Sequence, residues 1–404
     1  MKRSLVLLLP GGLILLAAVL LLRPRALPDS ILPFIRTLPY LIMVIGLFLG
    51  WLFNRSRIVF AILILALADS VLLRFGAGKG AGGETGRIAL QATALLVPLN
   101  LAVYAMLAER GLFTPRGLAR VLPVLAQVLL VAWLCRPDQR GLAAALWHKF
   151  ITMPWPAWTP LAQPALVAFG LALALQTTRV MLHRNALESG FLWALVAAFL
   201  AFHNARVDWV ATTFFGVAGL VLVMSLLQTS YRMAYHDELT GLPGRRAMNE
   251  SLLKLGSTYA VAMVDVDHFK QFNDQYGHRV GDQMLRMVAA RLGEVTGGGE
   301  AFRYGGEEFS IIFPDKSVEE AVPHLEAVRK MVETSGFVLR GRDRPRKRPA
   351  KPKASTAPRN SVSVTVSIGV AGRDGRHQTP DQVIKAADRA MYRAKEDGRN
   401  RVRS

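Results

Sequence analysis

The sequence predicts two architectures in one chain: an N-terminal all-α polytopic membrane bundle, then a C-terminal α/β (α+β) sheet domain. Three observations predict this. Residues 1–230 are mostly long apolar runs, holding 19 of the 49 Lys/Arg and 7 of the 29 Asp/Glu. After His236 the texture changes to short β-branched runs alternating with amphipathic stretches. The whole chain, 404 residues with 52% hydrophobic and 19% charged side chains, is too apolar for intrinsic disorder and lacks a collagen repeat. One cysteine, Cys135, excludes an intrachain disulfide and a cysteine-built zinc cluster.

Eight apolar runs approach the roughly 17–25 residues that span a bilayer. They are 4–22, 32–53, 58–75, 88–107, 117–135, 162–182, 189–205 and 208–228. Backbone groups in lipid must bond within their own segment, so each run is expected to be helical. The count is good to about one, because the third run abuts the second and Arg206-Val207-Asp208 alone separates the last two. The first run follows Lys2-Arg3 like a signal peptide, but no small-x-small cleavage site precedes Arg23-Pro24-Arg25, so a retained helix is expected. Basic residues flank the runs on both sides, and charge bias alone does not orient the bundle. Asp69 lies inside the third run, where an ionisable group is either functional or paired within the bundle. Trp147, Trp155 and Trp158 with Pro154, Pro156 and Pro160 mark an interfacial loop, an anchor or a sensor surface.

The membrane domain is read as 1–228, a helical connector as 229–236, and the sheet domain as 237–404. The apolar pattern runs on through VLVMSLLQTSYRM, so the last helix is expected to extend beyond the membrane. Such an extension is either a short pairing seam or a plain linker.

In the last domain, Gly241, Pro243 and Gly244 form a turn before a helix at about 245–255. YAVAMVDVD (259–267) reads as a strand, and 280–293 as a helix stopped by Gly293. AFRY (301–304) and EFSIIF (308–313) read as a hairpin around Gly305-Gly306. A helix over 317–335, strands at 337–340 and 361–371, and a helix over 380–397 complete the pattern. The segment 340–360 carries nine Lys/Arg against one Asp, which is the domain's entire excess charge. It reads as an extended, proline-rich loop. Anionic lipid headgroups are its nearest partner, beside the plainer reading of a solvated loop. No zinc finger, helix-turn-helix or aromatic series supports nucleic-acid binding.

The chemistry-bearing residues are acidic, glycine-rich and basic in separate segments. Asp265 and Asp267 end a strand; Glu307 and Glu308 sit in the hairpin. Carboxylates from adjacent strand ends suit Mg²⁺ held against a triphosphate, and Gly305 and Gly306 let a nucleotide approach the backbone. Lys395 and Arg399, four apart, are expected on one face of the last helix to neutralise phosphate. Asn273 and Asp282 suit the hydrogen-bonding edge of guanine. Each feature alone is weak, since strand-end carboxylates and Lys/Arg pairs are usually solvated.

Together their spacing resembles the GGDEF family of diguanylate cyclases. Four blocks carry the resemblance in order: Asp237-Glu238-Leu239-Thr240-Gly241-Leu242 with Arg245-Arg246; Asp265-Val266-Asp267-His268-Phe269-Lys270 with Asn273-Asp274, Gly277-His278 and Gly281-Asp282; Arg303-Tyr304-Gly305-Gly306-Glu307-Glu308-Phe309, the GGEEF form of the signature; and Ala387-Asp388, Ala390, Tyr392, Ala394-Lys395 with Gly398-Arg399-Asn400. The resemblance implies a palm-like sheet similar to that of nucleotidyl cyclases and some polymerases. It implies condensation of two GTP into cyclic di-GMP with release of two pyrophosphates, by a homodimer in which each domain carries one GTP. Carried over by position, Asp265, the Val266 carbonyl, Glu307 and Glu308 hold Mg²⁺ (or Mn²⁺), and Glu307 assists deprotonation of the attacking hydroxyl. Asn273 and Asp282 read guanine; Lys270, Lys395 and Arg399 hold phosphates. Leu239, Leu242, Phe269 and Phe309 are expected to pack. A bacterial inner-membrane protein with its cyclase domain in the cytoplasm follows.

Two departures stand out. Thr296 and Gly299 occupy the positions of the family's Arg-x-x-Asp product-inhibition site, so no inhibition through it is expected. Gly244 replaces the family's usual Asn and is expected to be tolerated. The competing readings are a catalytically inactive GTP-binding module, and a transporter or receptor with a regulatory soluble half. The apolar runs show no matched Gly/Pro-broken pairs of the kind that favour a transporter.

Overall fold

The computed structural model describes residues 2–22, 30, 32–75, 83–151, 158–338 and 361–404. The basic segment 340–360 and Pro154-Trp155-Pro156 lie outside the described residues. The chain divides into two compact units, Met1–Tyr231 and Arg232–Ser404.

The first unit is helical: α1 (Lys2–Leu21), α2 (Leu32–Leu52), α3 (Ser56–Phe75), α4 (Glu84–Met106), short α5 (Pro115–Leu118), α6 (Val121–Leu134), short α7 (Arg140–Ala143), α8 (Gln163–His183), α9 (Ala186–His203) and α10 (Asp208–Tyr235). Seven described segments are long and apolar enough to cross a bilayer, and Leu8–Leu21 adds a shorter apolar stretch. Leu101, Phe191, Phe202, Phe215 and Leu222 fill the interior. Large apolar side chains also cover the exterior: Phe34, Leu129 and Leu182 are each at least 70% exposed. Such apolar exteriors are consistent with helices that cross a bilayer.

Buried charge in this unit is held by ion pairs and hydrogen bonds. Asn185 caps α9 by accepting from the Glu188 N–H. The Glu188 carboxylate accepts from Arg179 Nε (2.8 Å) and Nη2 (2.9 Å) and from Arg57 Nη2 (3.1 Å). Arg57 also donates to the Tyr104 carbonyl at 2.9 Å and lies over the Phe191 ring. Asp69 is buried and accepts from the Thr212 hydroxyl at 2.7 Å. Trp158 packs against Phe199 and His203.

The second unit is built on a five-stranded sheet ordered β2-β3-β1-β6-β7. Its strands are β1 (Tyr259–Val266), β2 (Glu300–Gly305), β3 (Glu308–Pro314), β6 (Val366–Gly372) and β7 (Val402–Arg403); β4 (Phe337–Val338) and β5 (Ser361–Val362) form a separate pair. Strand β1 is antiparallel to both β3 and β6, and β7 joins β6 in parallel. Being central, β1 is buried at every position, which explains its continuous apolar run. The helices are α11 (Arg245–Leu253), α12 (Phe269–Tyr276), α13 (His278–Leu292), α14 (Val318–Thr334) and α15 (Pro380–Glu396). Capping boxes start α14 at Ser317/Glu320 and α15 at Thr379/Gln382, each worth about 1 kcal/mol.

Strand periodicity sorts the side chains. Ala260, Ala262, Val264 and Val266 face the cluster that holds Met284, Leu285 and Val288 of α13 and Leu325 and Val328 of α14. Tyr259 and Val261 face Met248 and Leu252 of α11 and Val383 of α15; Met263 faces Ala387 and Met391. Asp265 continues the second set.

The structure corrects the sequence reading in three places. The expected strand 361–371 is two strands, with residues 363–365 outside both. Strand β7 was not foreseen. The helix α15 ends at Glu396, so Arg399 is not on it; Arg399 lies in a turn with φ 63°.

Candidate active site

Asp265 of β1 stands directly opposite Glu308 of β3 in the antiparallel register. Opposed residues share a sheet face, here the α11/α15 face. Asp265 is 5% exposed, and Lys395 of α15 reaches its Oδ2 at 2.9 Å. Burial raises the Asp265 carboxyl above its ordinary range; Lys395 and Arg399 oppose this while Asp267 adds to it. Burial also raises Glu307, with further repulsion from Asp265 and Glu308. Glu308 rises for the same first reason, then from Asp265 and Asp388. Three carboxylates that press on one another face Lys395, with Arg399 and Arg245 adding positive charge.

The turn between β2 and β3 brings Glu307 there. Gly306 takes φ 52°, a region L side chains avoid. Arg303 braces the turn: Nη2 donates to the Gly306 carbonyl (2.6 Å) and Nη1 to Asp237 Oδ1 (2.7 Å). Asp237 also accepts from the Thr240 N–H and hydroxyl. Burial pushes the Asp237 carboxyl up, but these donors hold it below its usual value. The opening block thereby supports the signature loop. Gly244 starts α11 without a side-chain cap, a deficit of a few tenths of a kcal/mol against a capping residue.

A cleft of about 510 Å³ opens beside this turn, lined among others by Arg245, Asp282, Tyr304, Gly305 and Gly306. Arg245 lies over the Tyr304 ring at 4.5 Å. Asn273 of α12 faces α13 at Gly281; a Cβ on Gly281 would stand 1.9 Å from Asn273 Oδ1. That oxygen is buried and has no hydrogen-bond partner among the described residues. Lys270 is exposed on the first turn of α12. Phe309 is fully buried and Phe269 nearly so, and Leu239 and Leu242 pack on the same core.

Asp267, which from sequence resembles Asp265, does something else. It accepts hydroxyls from Thr365 and Ser367, each at 2.7 Å, and the Asn400 N–H at 3.2 Å. Its oxygens tie β1 to β6 and to the turn before β7. Among the described residues no three His, Cys, Asp or Glu side chains form a ready metal cage; Lys395 sits on Asp265 instead. The donor chemistry nonetheless suits a hard divalent cation, since Asp265 faces Glu308 in register and Glu307 lies in the adjoining turn. Thr296 and Gly299 lie in a turn where Thr296 Oγ1 meets His324 Nδ1 at 2.8 Å, and no charged side chain stands at either position.

The sheet is mixed, with acidic residues at a central strand end, glycines in the adjoining turn and a lysine across from them. Residues 234–401 match the family described as "Diguanylate cyclase, GGDEF domain", so the C-terminal unit is a GGDEF domain. The chain is 37% identical over 185 residues to the response regulator PleD of Caulobacter vibrioides, covering 44% of this chain and 37% of PleD. It is 38% identical over 174 residues to the diguanylate cyclase VdcA of Vibrio cholerae, covering 42% and 46%. It thus spans less than half the length of either relative. Among solved structures, the GGDEF domain of DgcB from Caulobacter crescentus in complex with c-di-GMP is 36% identical, covering 42% of this chain and 95% of that one, with a TM-score of 0.36.

Proposed function

We propose that the protein is a membrane-bound diguanylate cyclase, condensing two GTP into cyclic di-GMP and two pyrophosphates, with the helical unit as its sensor or regulator. The observation that carries the reading is the register that sets Asp265 against Glu308, with Lys395 on the first and Glu307 in the adjoining turn.

Asp265, the Val266 carbonyl, Glu307 and Glu308 would hold Mg²⁺ or Mn²⁺. A divalent cation bound there supplies charge neutralisation for the triphosphate. Lys395, Arg399 and Lys270 bind phosphate oxygens; Lys395 exchanges Asp265 for phosphate as substrate enters. The Asn273 carbonyl oxygen accepts from the guanine amino or imino group, and Asp282 takes the remaining hydrogen. Gly305 and Gly306 leave room for the nucleotide against the turn. Glu307, its proton affinity raised, assists removal of the proton from the attacking 3′-hydroxyl. Two such domains face each other in a homodimer, each hydroxyl attacking the other's α-phosphate, so the residues act chiefly by positioning and charge. On this reading the apolar helices would span a bacterial inner membrane with the GGDEF domain in the cytoplasm, a reading supported by seven helices long and apolar enough to cross a bilayer, and the basic segment 340–360 would face anionic lipid.

Purified full-length chain in detergent micelles is expected to convert GTP to cyclic di-GMP when Mg²⁺ is added, read by chromatography of the products. Tight GTP binding with no turnover in the dimer would instead identify an inactive GTP-binding module. With Thr296 and Gly299 at the inhibitory positions, micromolar cyclic di-GMP is expected to leave the initial rate unchanged.

A further inference from the structure

Three consecutive residues after α15 have left-handed backbone: Gly398 (φ 106°), Arg399 (φ 63°) and Asn400 (φ 48°). Only the first is glycine. L residues disfavour this region, so such a run persists only where its surroundings over-determine it.

The surroundings do so through Asn400. Its N–H donates to Asp267, as above. Its Nδ2 donates to Glu333 Oε1 at 2.8 Å, and its Oδ1 accepts from Arg329 Nη1 at 2.7 Å. Arg329 is 8% exposed and is itself held by Glu326 (2.7 Å) and Glu333 (3.0 Å). On either side of the turn, the Arg399 N–H bonds to the Ala394 carbonyl and the Ile368 N–H to the Arg401 carbonyl, each at 2.9 Å. The amide of Asn400 is thus gripped at both ends by a buried guanidinium and a carboxylate from α14, more than sixty residues earlier in the chain. Next to it in sequence is Arg399, close enough to Asp265 for its charge to act on that carboxylate.

We propose that Asn400, clamped by Arg329 and Glu333 and anchored on Asp267, is a positioning residue that holds Arg399 in the left-handed turn from which its guanidinium meets the phosphates of the bound nucleotide. The proposal rests on the reading of the Asp265 site as a nucleoside triphosphate site. It assigns Asp267 to the turn, not to a metal. It also makes the α14 pair part of substrate binding without any contact to substrate.

The test is steady-state kinetics of the full-length chain in micelles. Asn400→Ala is expected to raise KM for GTP about tenfold while kcat stays within about threefold. In the Arg399→Ala background, the same change is expected to add less than about twofold, because its effect runs through Arg399. Asn400→Asp places two carboxylates together and raises KM; adding Glu333→Gln restores a complementary donor and is expected to bring KM back to within about threefold. Should Asn400→Ala fail to accumulate, the Asp/Gln exchange decides alone, recovery supporting the clamp and no recovery overturning it. An unchanged KM in Asn400→Ala beside a raised KM in Arg399→Ala overturns it, as does full additivity of the two. A wild-type chain that turns over no GTP refutes the cyclase reading instead. The same ratios are then read from the dissociation constant for GTP.

Discussion

Glu188 in the N-terminal unit and Asp265 in the C-terminal unit are buried alike, at 3% and 5% exposed, and their surroundings differ in kind. Glu188 is taken by two guanidiniums. Asp265 is paired to one ammonium with the Arg399 charge farther off, and it stands among carboxylates: Asp267 presses on it, and it presses on Glu307 and Glu308. A buried carboxylate with more positive than negative partners is a strut. One set among like charges is suited to bind a cation. The cost of burying a charge is thus met within the fold at Glu188, whereas on the proposed reading a bound cation would meet it at Asp265.

The sharpest way to break this comparison is to remove each charge. Glu188→Gln leaves Arg57 and Arg179 facing a neutral group and is expected to cost about 3–5 kcal/mol, read by chemical denaturation of the full chain in micelles. Glu294→Gln, at the half-exposed pair with Arg291, is expected to cost below about 1 kcal/mol. Equal losses would erase the distinction. Glu307→Gln is expected to lower kcat by about 10²–10³ without loss of stability, since it removes a like charge. A variant keeping a tenth of the rate would remove Glu307 from the chemistry.

A smaller effect is expected at the purine end. Gly281→Ala drives a methyl against Asn273 Oδ1 and is expected to raise KM for GTP about tenfold, with GTP losing most of its advantage over ATP in competition. Equal losses for both nucleotides would mean general damage, not lost guanine reading.

The smallest is a pH effect whose sign follows from the raised carboxyls. Asp265, Glu307 and Glu308 hold protons more tightly folded than unfolded, so the folded state gains as pH falls and loses as pH rises through their raised values. The unfolding midpoint is expected to climb as pH is lowered through the raised values of these carboxyls toward their ordinary range. Saturating Mg²⁺ should flatten that climb, because it stabilises the ionised forms. Activity is expected to fall over the same acid range. A midpoint indifferent to both would mean the three groups do not share a site.

Much of the site was legible. Alternation along YAVAMVDVD places Asp265 opposite in face to Val264 and Val266, and the hairpin around Gly305-Gly306 aligns Glu308 beside it. What escaped has a physical reason in each case. Asp265 and Asp267 are indistinguishable in sequence, both acidic at one strand end; hydroxyls from Thr365 and Ser367, about a hundred positions away, separate them. Arg399 reads as helical by its spacing from Lys395, but Gly398 turns the chain left-handed first. Strand β7 is two residues long, too short for any period. The Asn400 clamp joins segments with no local signal for each other.

The sequence by itself determined which segments are long apolar helices, which of the longer runs are strands, and which acidic, basic and glycine residues were available to a site, because periodicity and composition are local properties. Only the tertiary structure decided which of those residues meet. Whether a buried carboxylate is a strut, an anchor or a site depends on the charges brought to it from elsewhere in the chain, and those are set by packing.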